Sequence, residues 1–393
     1  MSQDLLANLS GLYYQQLSSK LNNPVGFQVA TGSVAVQDQL TFDNIAGAIP
    51  IESLNNSFSG NPVNSFDGNY GNIINGLVTP SYVANALGTQ YDQSWESYKA
   101  ANVNSIVFSP ISAYVDSLQG LMRKWGATNG VPTGVVQSGC TALQQESDSS
   151  VAVAVNLWGS NNGNPYGYLP SSAGIPTKFN NPSPCSFSIS SIQNSANLSN
   201  TWAKGEFGIL ADIFEFGNET SYSQESQKFV GSGFTLNFSC RQVSIDVSPI
   251  TAGQSFPIAG TTYGAWYSPA ALQRAYAAPN DATVWVRAAD WNKYFGDSGT
   301  FNRVVTEIFL ADTINLTMTS TATFSSTEVT HLETAAEGGI WPFFVANVSG
   351  GYNSTVTHND DNTITVTTTS PAGIPILLGV ATATVQQLLN GGE

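Results

Sequence analysis

The spacing of the hydrophobic residues changes along this chain, and this change constrains the fold more than any other feature of the sequence. Before about residue 130 apolar residues recur every three or four positions, and after it they recur every second position. The first spacing places them on one face of a helix, and the second on one face of a strand. We therefore predict a mixed α+β protein, with a helical N-terminal region packed on a mainly antiparallel, β-rich C-terminal region.

Three helices are predicted in the N-terminal region. The first has Ser2 as its N-cap, ends before Pro24, and places six apolar residues on one face, which are Leu5, Leu9, Leu12, Tyr13, Leu17 and Leu21. The second begins at Pro80. The third runs from Ser109-Pro110 to a predicted end at Gly126, with proline at its first helical position.

The change of spacing near residue 130 also gives the predicted division into domains. Residues 1–130 form a helix-rich region with a long loop-rich insert at about residues 26–78, and residues 131–393 form the β-rich region. The insert is rich in Gly, Asn, Ser and Pro, which are typical of turns. The two regions form either separate domains or one shared core.

The strands of the β-rich region are predicted from alternating stretches that turn residues separate. They lie at residues 151–155, 234–240, 243–247, 283–287, 304–310, 314–324, 343–348, 352–357 and 363–368, and a short helix at residues 269–277 interrupts them. The alternation slips by one residue after Cys240, which predicts a β-bulge near Arg241 and Gln242. The run Asn359-Asp360-Asp361-Asn362 predicts a hairpin between the last two strands.

Charged residues are few, and this limits the partners that the protein can bind. They make up 10% of the chain, against about a quarter in ordinary proteins, and the formal net charge is -15. A nucleic-acid-binding surface needs clustered Lys and Arg to displace the counterions of phosphate groups. The 12 Lys and Arg residues are scattered instead, so we exclude nucleic acid as a partner.

The ends of the chain and its apolar runs give expectations about location. The first residues show no basic stretch followed by an apolar run, so no signal peptide is visible. We expect a cytoplasmic protein or one released by a non-classical route. The longest apolar run, residues 373–381, is too short to cross a bilayer as a helix, so we expect a soluble protein with no integral membrane helix.

The residues that carry most enzymatic chemistry are scarce. Two histidines, His331 and His358, cannot form a multi-histidine metal site, and no nucleotide-binding or nucleophile motif is present. We predict no metal, no cofactor and no assigned catalytic residue. The three cysteines allow at most one disulfide, and the sequence leaves open whether any two of Cys140, Cys185 and Cys240 pair.

One enzymatic alternative remains, a glycoside hydrolase that uses two carboxylates. Such an enzyme needs two acids held a defined distance apart, and spacing along the sequence does not choose among them. With 27 acidic residues in the chain, some pairing is also expected by chance. The candidate acids are Asp290, Asp297, Glu328, Glu333 and Glu337.

Two segments that combine aromatic rings with amide or small residues give the best indication of a ligand site. They are residues 158–168 and residues 263–267. Sugars present apolar CH faces and many hydroxyls, which rings and Asn side chains complement. The same rings also suit the anchoring of long loops on a core. The predicted carbohydrate site consists of Trp158, Tyr166, Tyr168, Tyr263, Trp266 and Tyr267.

An uncharged amphipathic stretch from Ile314 to Phe324 supports a second alternative. Its apolar residues alternate with Asn and Thr over about the nine to eleven residues that a tilted strand needs to cross a bilayer. Such strands occur in membrane-active, pore-forming proteins and, more often, in ordinary sheets. The expected neighbour of this strand is the alternating segment Tyr352–Thr368.

The absent catalytic motifs and the uncharged polar composition favour a non-enzymatic binding or assembly protein. Its partner is expected to be a glycan or another protein, and its oligomeric state is not predicted. The membrane-active protein and the carboxylate-based glycoside hydrolase are the two alternatives.

Overall fold

In the computed structural model the described residues are 12–30, 34–49, 65–79, 81–106, 111–161, 165–190, 228–229, 231–296, 299–330 and 353–389. The helices are α1 (residues 12–20), α2 (Gln39–Ala46), α3 (Phe66–Asn75), α4 (Tyr82–Ala101), α5 (Ile111–Asn129), α6 (Thr133–Ser147), α7 (Ser150–Ser160), α8 (Ile175–Lys178), α9 (Pro269–Tyr276), α10 (Asp290–Phe295) and α11 (Val385–Leu389). The strands are β1 (Gln28–Val29), β2 (Tyr168–Leu169), β3 (Ser183–Ser190), β4 (Thr235–Asp246), β5 (Ser248–Pro249), β6 (Phe256–Ile258), β7 (Thr261–Tyr263), β8 (Arg303–Ser320), β9 (Asn353–His358), β10 (Ile364–Thr369) and β11 (Ile376–Thr384). Helices dominate the N-terminal half and antiparallel strands the C-terminal half, which confirms the predicted α+β class.

The contacts within the chain divide it into two compact units, each built from separated segments. Unit 1 comprises Met1–Ser65, Pro170–Ser248 and Arg303–Thr384. Unit 2 comprises Phe66–Leu169, Pro249–Asn302 and Val385–Glu393. The large sheet belongs to unit 1, and the long helices α4 to α7 belong to unit 2.

The sheet of unit 1 is organised around its longest strand, β8. Along one side β8 pairs with β4, and along the other it pairs first with β11 and then with β10. β3 extends the sheet beyond β4, and β9 extends it beyond β10. All of these pairs are antiparallel. In the part of the sheet where β8 pairs with β10, five strands lie side by side in the order β3-β4-β8-β10-β9.

One face of this five-stranded part is apolar and forms the core of unit 1. Side chains of successive residues point to opposite faces of a strand, so apolar residues at every second position meet in rows across the sheet. One such buried row consists of Ile189, Leu236, Met318 and Val366. Helix α1 packs on this face, where the Tyr13 ring lies 5.6 Å from the Phe187 ring and 6.0 Å from the Phe238 ring, measured between centroids.

The bulge predicted in β4 is confirmed. The pairing of β4 with β8 shifts between Ser239 and Arg241. Cys240 and Val243 are both buried although they are three positions apart, because the extra residue restores the apolar face after the slip. The predicted hairpin is confirmed as well, since β9 and β10 pair from His358 and Ile364 outward.

An ion pair between Arg241 and the buried carboxylate of Asp312 joins β4 to β8 beside this bulge. Arg241 Nε and Nη2 donate to Asp312 Oδ1 and Oδ2 at 2.9 and 2.6 Å, and the Gly373 N–H donates to Oδ2 at 2.8 Å. The Asp312 side chain is 0% exposed. Its neighbour Thr313 has φ of 51°, a left-handed conformation that is unusual for threonine, at the point where β8 changes partner from β11 to β10.

The stretch at residues 151–155 was predicted as a strand, and this prediction is wrong because the stretch lies inside helix α7. Val151 and Ala154 are buried, and a separation of three residues places both on one helix face. Alternating Val and Ala residues fit either period over so few positions, so spacing alone could not separate strand from helix.

Helix α5 does not end at Gly126, as predicted, but continues to Asn129. A Cβ atom on Gly126 would lie only 2.3 Å from Val136 Cγ2 on α6, so this glycine allows two helices to approach closely. Gly130, with φ of 63°, provides the left-handed residue that follows many helix ends.

Three further predictions need correction. Residues 283–287 form a turn instead of a strand, because Asp281 Oδ1 accepts hydrogen bonds from the Thr283 N–H and hydroxyl. The strand-like pairing of this segment is limited to one isolated bridge between Trp285 and Leu77. The two strands predicted at residues 304–310 and 314–324 are one strand, β8, which ends at Ser320. The loop-rich insert at residues 26–78 contains two helices, α2 and α3.

The predicted starts of the second helix and of the short helix at Pro269 are confirmed within two residues. The first helix is confirmed over residues 12–20, where Tyr13 and Leu17 are buried. Ser2, Leu5, Leu9 and the strand predicted at residues 343–348 lie outside the described residues.

Across the described part of the chain, no helix has both the length and the apolar character required to cross a bilayer.

Candidate functional site

The outer face of the five-stranded sheet carries a regular array of uncharged polar side chains. Three positions on each of five strands give fifteen residues, and every one of them is Ser, Thr or Asn. In rows across β3, β4, β8, β10 and β9 they are Ser190, Thr235, Thr319, Thr365 and Thr357, then Ser188, Asn237, Thr317, Thr367 and Thr355, then Ser186, Ser239, Asn315, Thr369 and Asn353. We call this array the polar sheet face, and none of its residues is buried.

The dimensions of the polar sheet face follow from strand geometry. Neighbouring strands lie about 4.8 Å apart, and alternate residues of one strand lie about 6.7 Å apart, so the fifteen positions cover about 19 by 13 Å. Part of the face is concave. A depression of about 320 Å³ lies over β3, β4 and β8, and its polar lining residues are Ser186, Ser188, Asn237, Ser239, Asn315 and Thr317.

Hydrogen bonds within the face orient some of its amide groups. The Ser188 hydroxyl donates to Asn237 Oδ1 at 2.6 Å, and the Thr317 hydroxyl lies 3.4 Å from Asn315 Oδ1. Each asparagine also carries an Nδ2 group, which can donate hydrogen bonds. The face therefore presents hydroxyl groups that donate and accept, together with amide donors, and it presents no formal charge.

The structure brings most of the predicted carbohydrate site together in unit 2. Trp158 and Tyr166 stack with their ring centroids 4.3 Å apart and their planes at 7°. Trp266 contacts both rings and also those of Tyr168 and Tyr267, at centroid distances of 5.4 to 6.1 Å. The Trp266 Nε1–H donates to the Gly167 carbonyl oxygen at 2.8 Å, which fixes the indole in the cluster.

Tyr263 lies at the side of this group. It stacks on Phe256 at a centroid distance of 4.9 Å, and a Cβ atom on Gly167 would lie 2.5 Å from its ring. Tyr263 therefore packs against the backbone between Tyr166 and Tyr168.

Most of these rings face inward. Tyr168, Tyr263, Trp266 and Tyr267 are buried, and Trp158 and Tyr166 are half-buried. Burial raises the pKa of Tyr267 well above the ordinary tyrosine value. Stacking between Trp158 and Tyr166 also covers one flat face of each ring, so little aromatic surface is left for a sugar. We conclude that the aromatic cluster packs mainly as core.

Of the acids considered for glycoside hydrolysis, the structure describes Asp290 in unit 2 and Glu328 in unit 1. Glu328 accepts from Lys228 Nζ at 2.6 Å, and this bond, with one from the Ser325 N–H, lowers the pKa of Glu328 to about 2. A carboxyl group with so low a pKa stays ionised and cannot serve as a general acid. Asp290 lies in α10, and Asp297, Glu333 and Glu337 lie outside the described residues.

One pair of acids that the sequence did not single out does meet. Asp246 of β4 pairs with Glu307 of β8 in the ladder, so the two carboxylates lie side by side. Burial raises the pKa of Glu307, and repulsion from the Asp246 carboxylate raises this pKa further. A hydrogen bond with Ser244 lowers the pKa of Glu307 and offsets part of the increase. Within the part of the chain that the structure describes, no group of three His, Cys, Asp or Glu side chains could hold a metal ion.

The cysteines are free thiols, and two of them face each other. Cys185 of β3 pairs with Cys240 of β4 in the ladder, and both are buried. Cys140 lies in α6, where its Sγ is 3.9 Å from the Gln119 carbonyl oxygen. Burial raises the pKa of Cys140, which disfavours the reactive thiolate.

The sequence predicted strands at four of the five positions of the polar sheet face and missed only β3, but it singled out the uncharged polar residues of one strand alone, the stretch from Ile314 to Phe324. The other four strands also carry Ser, Thr or Asn at three alternate positions, and the residues between them are apolar except Ser354 on β9 and Thr368 on β10. Each run is only about five residues long and common in a chain of this composition. The signal becomes meaningful only when the pairing places five such runs side by side.

Comparison with models of known protein families, with curated proteins and with solved structures finds no match to this chain. The fold and its surfaces are therefore the basis for a functional proposal.

Proposed function

We propose that this chain is a non-enzymatic binding protein that recognises a neutral, hydroxyl-rich polymer, with neutral polysaccharides as the ligand class. The observation that carries the proposal is the polar sheet face, fifteen uncharged hydroxyl and amide residues in three rows. It moves the carbohydrate site from the aromatic segments, where the sequence placed it, to the sheet of unit 1.

The chemistry of the face selects the class of ligand. Without charged groups it forms no ion pair with phosphate, sulfate or carboxylate groups, so an anionic ligand would be desolvated without compensation. Hydroxyl and amide groups exchange hydrogen bonds with sugar hydroxyls in both directions. A polymer with regularly repeated hydroxyls suits donors and acceptors that repeat along and across strands.

The geometry supports an extended ligand over a small one. The face is about 19 Å wide, and its depression of about 320 Å³ covers only three of its five strands, β3, β4 and β8. Individual hydrogen bonds on such a surface contribute little because water competes for them, typically about 1 kcal/mol each. Useful affinity therefore requires many contacts along one chain.

The test is a panel of neutral and anionic polysaccharides, followed by a substitution that adds charge without changing shape. We expect binding to one or more neutral polymers and no binding to anionic ones of similar length. Asn237→Asp places a carboxylate at the centre of the depression and removes the amide donor, so we expect at least a tenfold loss of affinity. Asn181→Asp is the matched control, because it adds the same charge at an exposed position outside the face.

Two outcomes would remove this proposal. The first is the absence of binding to any neutral polymer in the panel. The second is equal binding by the Asn237→Asp and Asn181→Asp proteins together with loss of binding by Trp158→Ala, which would return the site to the aromatic cluster.

A second candidate function, membrane activity, is favoured by the arrangement around β8. The uncharged stretch of β8 lies between β4 and β10, which alternate in the same way, and β10 lies in the segment expected to be its neighbour. The apolar face of these strands is covered in this structure by α1, through contacts such as Tyr13 to Phe238 of β4. A sheet with one apolar and one uncharged polar face has the alternation of membrane-inserted strands once its apolar face is released.

Dye release from liposomes tests this candidate and separates it from polysaccharide binding. If the sheet inserts, Leu316→Asp should abolish release, since Leu316 lies on the apolar face. Thr317→Lys, on the opposite face, should leave release intact but abolish polysaccharide binding. No release by the unaltered protein at any pH or lipid composition would retire the candidate.

A further inference from the structure

Within the part of the chain that the structure describes, strand β3 forms an edge of the five-stranded sheet, and its sequence does not protect that edge. Among the described residues β3 pairs only with β4. Natural edge strands are usually short, charged, bulged or covered, because unpaired N–H and C=O groups attract another strand. β3 is 8 residues long, carries no charged residue, pairs with β4 in an unbroken register, and exposes Ser186, Ser188 and Ser190.

Pro184 indicates which residues of β3 direct their backbone N–H and C=O groups away from β4. Proline has no N–H, so Pro184 cannot donate a ladder hydrogen bond to Arg241, its partner on β4. Hydrogen-bonded and non-hydrogen-bonded pairs alternate along an antiparallel ladder. Ser186, Ser188 and Ser190 have the same phase as Pro184, and their N–H and C=O groups therefore point away from β4.

We propose that two copies of this chain associate by antiparallel pairing of their β3 strands about a twofold axis at Ser188. In this register Ser188 of each copy faces Ser188 of the other, and Ser186 faces Ser190 of the second copy. Each of these pairs exchanges two backbone hydrogen bonds. Pro184 lies outside the new ladder, so its missing donor costs nothing.

The twofold axis also keeps both faces of the sheet continuous. Rotation about an axis perpendicular to a sheet leaves each face on its own side, so the polar sheet faces of the two copies join into one surface of ten strands. On the other side Phe187 and Ile189, both buried within one chain, approach their counterparts. No charged residue lies on β3, so no like charges meet across the axis.

Strand β9, at the opposite edge, is the weaker candidate. It has 6 residues, and Asp360 and Asp361 follow directly in the turn to β10. If β9 strands of two copies paired antiparallel, the carboxylates of each copy would lie close to the β9 strand of the other copy. The two edges therefore provide an internal control.

Cysteine cross-linking tests the axis directly. The Cα atoms of a hydrogen-bonded antiparallel pair lie about 5.5 Å apart, a separation that a disulfide bridges. With oxidised glutathione as the oxidant, two Ser188→Cys thiols lose two protons and two electrons to form one disulfide, and the oxidant is reduced to two molecules of glutathione. We expect a reducible band at twice the 41.6 kDa chain mass. Thr355→Cys on β9 and the unaltered chain should give none.

A proline substitution tests the same interface without cysteine chemistry. Ser188→Pro removes the central outward donor, and Pro184 shows that this phase of β3 accepts proline, so the fold should persist by circular dichroism. An interface of one strand pair is small, so we expect the mass of the unaltered protein to rise from 41.6 kDa towards twice that value only at about 10–100 µM. Ser188→Pro should remain at 41.6 kDa.

Each outcome of these experiments decides the proposal. It is overturned by a constant monomer mass of the unaltered protein up to about 100 µM. It is also overturned by Ser188→Cys cross-linking no better than Thr355→Cys, or by association that continues beyond a dimer. None of these results affects polysaccharide binding by a single chain, so the two proposals stand or fall separately.

Discussion

In unit 2 the aromatic side chains turn inward and contact one another, whereas in unit 1 the Ser, Thr and Asn side chains of five strands point to solvent in regular rows. In the sequence only the aromatic segments looked suitable for a sugar, because rings and amides are the usual components of such sites, whereas the uncharged strand from Ile314 to Phe324 was considered for membrane activity. Their burial separates them. Trp266 is 0% exposed, and no residue of the polar sheet face is buried. Dense aromatic residues in this chain indicate core, and alternating hydroxyl residues indicate an available surface.

The largest effect that would test this contrast is expected from Trp266→Ala. The substitution removes the ring that contacts Tyr166, Tyr168 and Tyr267, together with the bond to the Gly167 carbonyl. We expect the free energy of unfolding to fall by about 3–5 kcal/mol, measured by urea denaturation.

Thr367→Ser on the polar sheet face is the control, and it should change the free energy of unfolding by less than about 0.5 kcal/mol. A cost below about 1 kcal/mol for Trp266→Ala would mean that the aromatic cluster is not core, and the contrast between the units would be lost.

A smaller decrease in the free energy of unfolding is expected from Asp312→Asn at the bulge of unit 1. Burial acts to raise the pKa of Asp312, but hydrogen bonds from Arg241 and the Gly373 N–H outweigh it, and the pKa lies below its usual value. Breaking a fully buried pair costs about 3–5 kcal/mol, and the Arg241 side chain is 42% exposed, so we expect about 1–3 kcal/mol.

The pH dependence of this site has a defined sign. A carboxyl group whose pKa is lowered in the folded state stabilises the fold above its unfolded pKa of about 3.9, and this stabilisation is lost as the pH falls through the folded value. The difference in unfolding free energy between the unaltered protein and Asp312→Asn should therefore shrink below about pH 4. A difference that stays constant to pH 2 would show that the carboxylate charge does not contribute.

The smallest change in the free energy of unfolding is expected from Glu307→Gln, and it is an increase instead of a decrease. The pKa of Glu307 is raised, so the folded state holds the proton more tightly than the unfolded chain, and stability increases as the pH falls from the raised value towards about 4.3. At pH 7 the charged form faces Asp246, so Glu307→Gln should stabilise the protein by less than about 1 kcal/mol. The gain should vanish at pH 4, and a loss of stability at pH 7 would contradict the assignment.

Local spacing predicted the parts of the fold that local forces determine. The helix at residues 12–20, the bulge near Arg241 and the hairpin around Asn359 each depend on neighbours within a few residues. Residues 151–155 were misjudged because Val and Ala at alternate positions satisfy both periods over a short stretch. The strand order β3-β4-β8-β10-β9 was not predictable, because it joins residues as far apart as Ser190 and Thr357.

The candidate site was only partly predictable for the same reason. Sequence reasoning named the aromatic residues correctly as a group but could not tell that Trp266 points into the core. It singled out the polar residues of β8 and the alternating segment Tyr352–Thr368 as a neighbouring pair, but not the matching runs of β3 and β4. A surface that exists only through the pairing of distant strands has no signature in any one of them.

The most direct test of the polar sheet face as the binding surface compares Thr317→Lys with Tyr166→Ala on one neutral polysaccharide, by isothermal titration. Thr317 lies at the centre of the face, and Tyr166 is the partner of Trp158 in the aromatic cluster. We predict at least a tenfold loss of affinity for Thr317→Lys and unchanged affinity for Tyr166→Ala. The reverse pattern, with affinity retained by Thr317→Lys and lost by Tyr166→Ala, would contradict it.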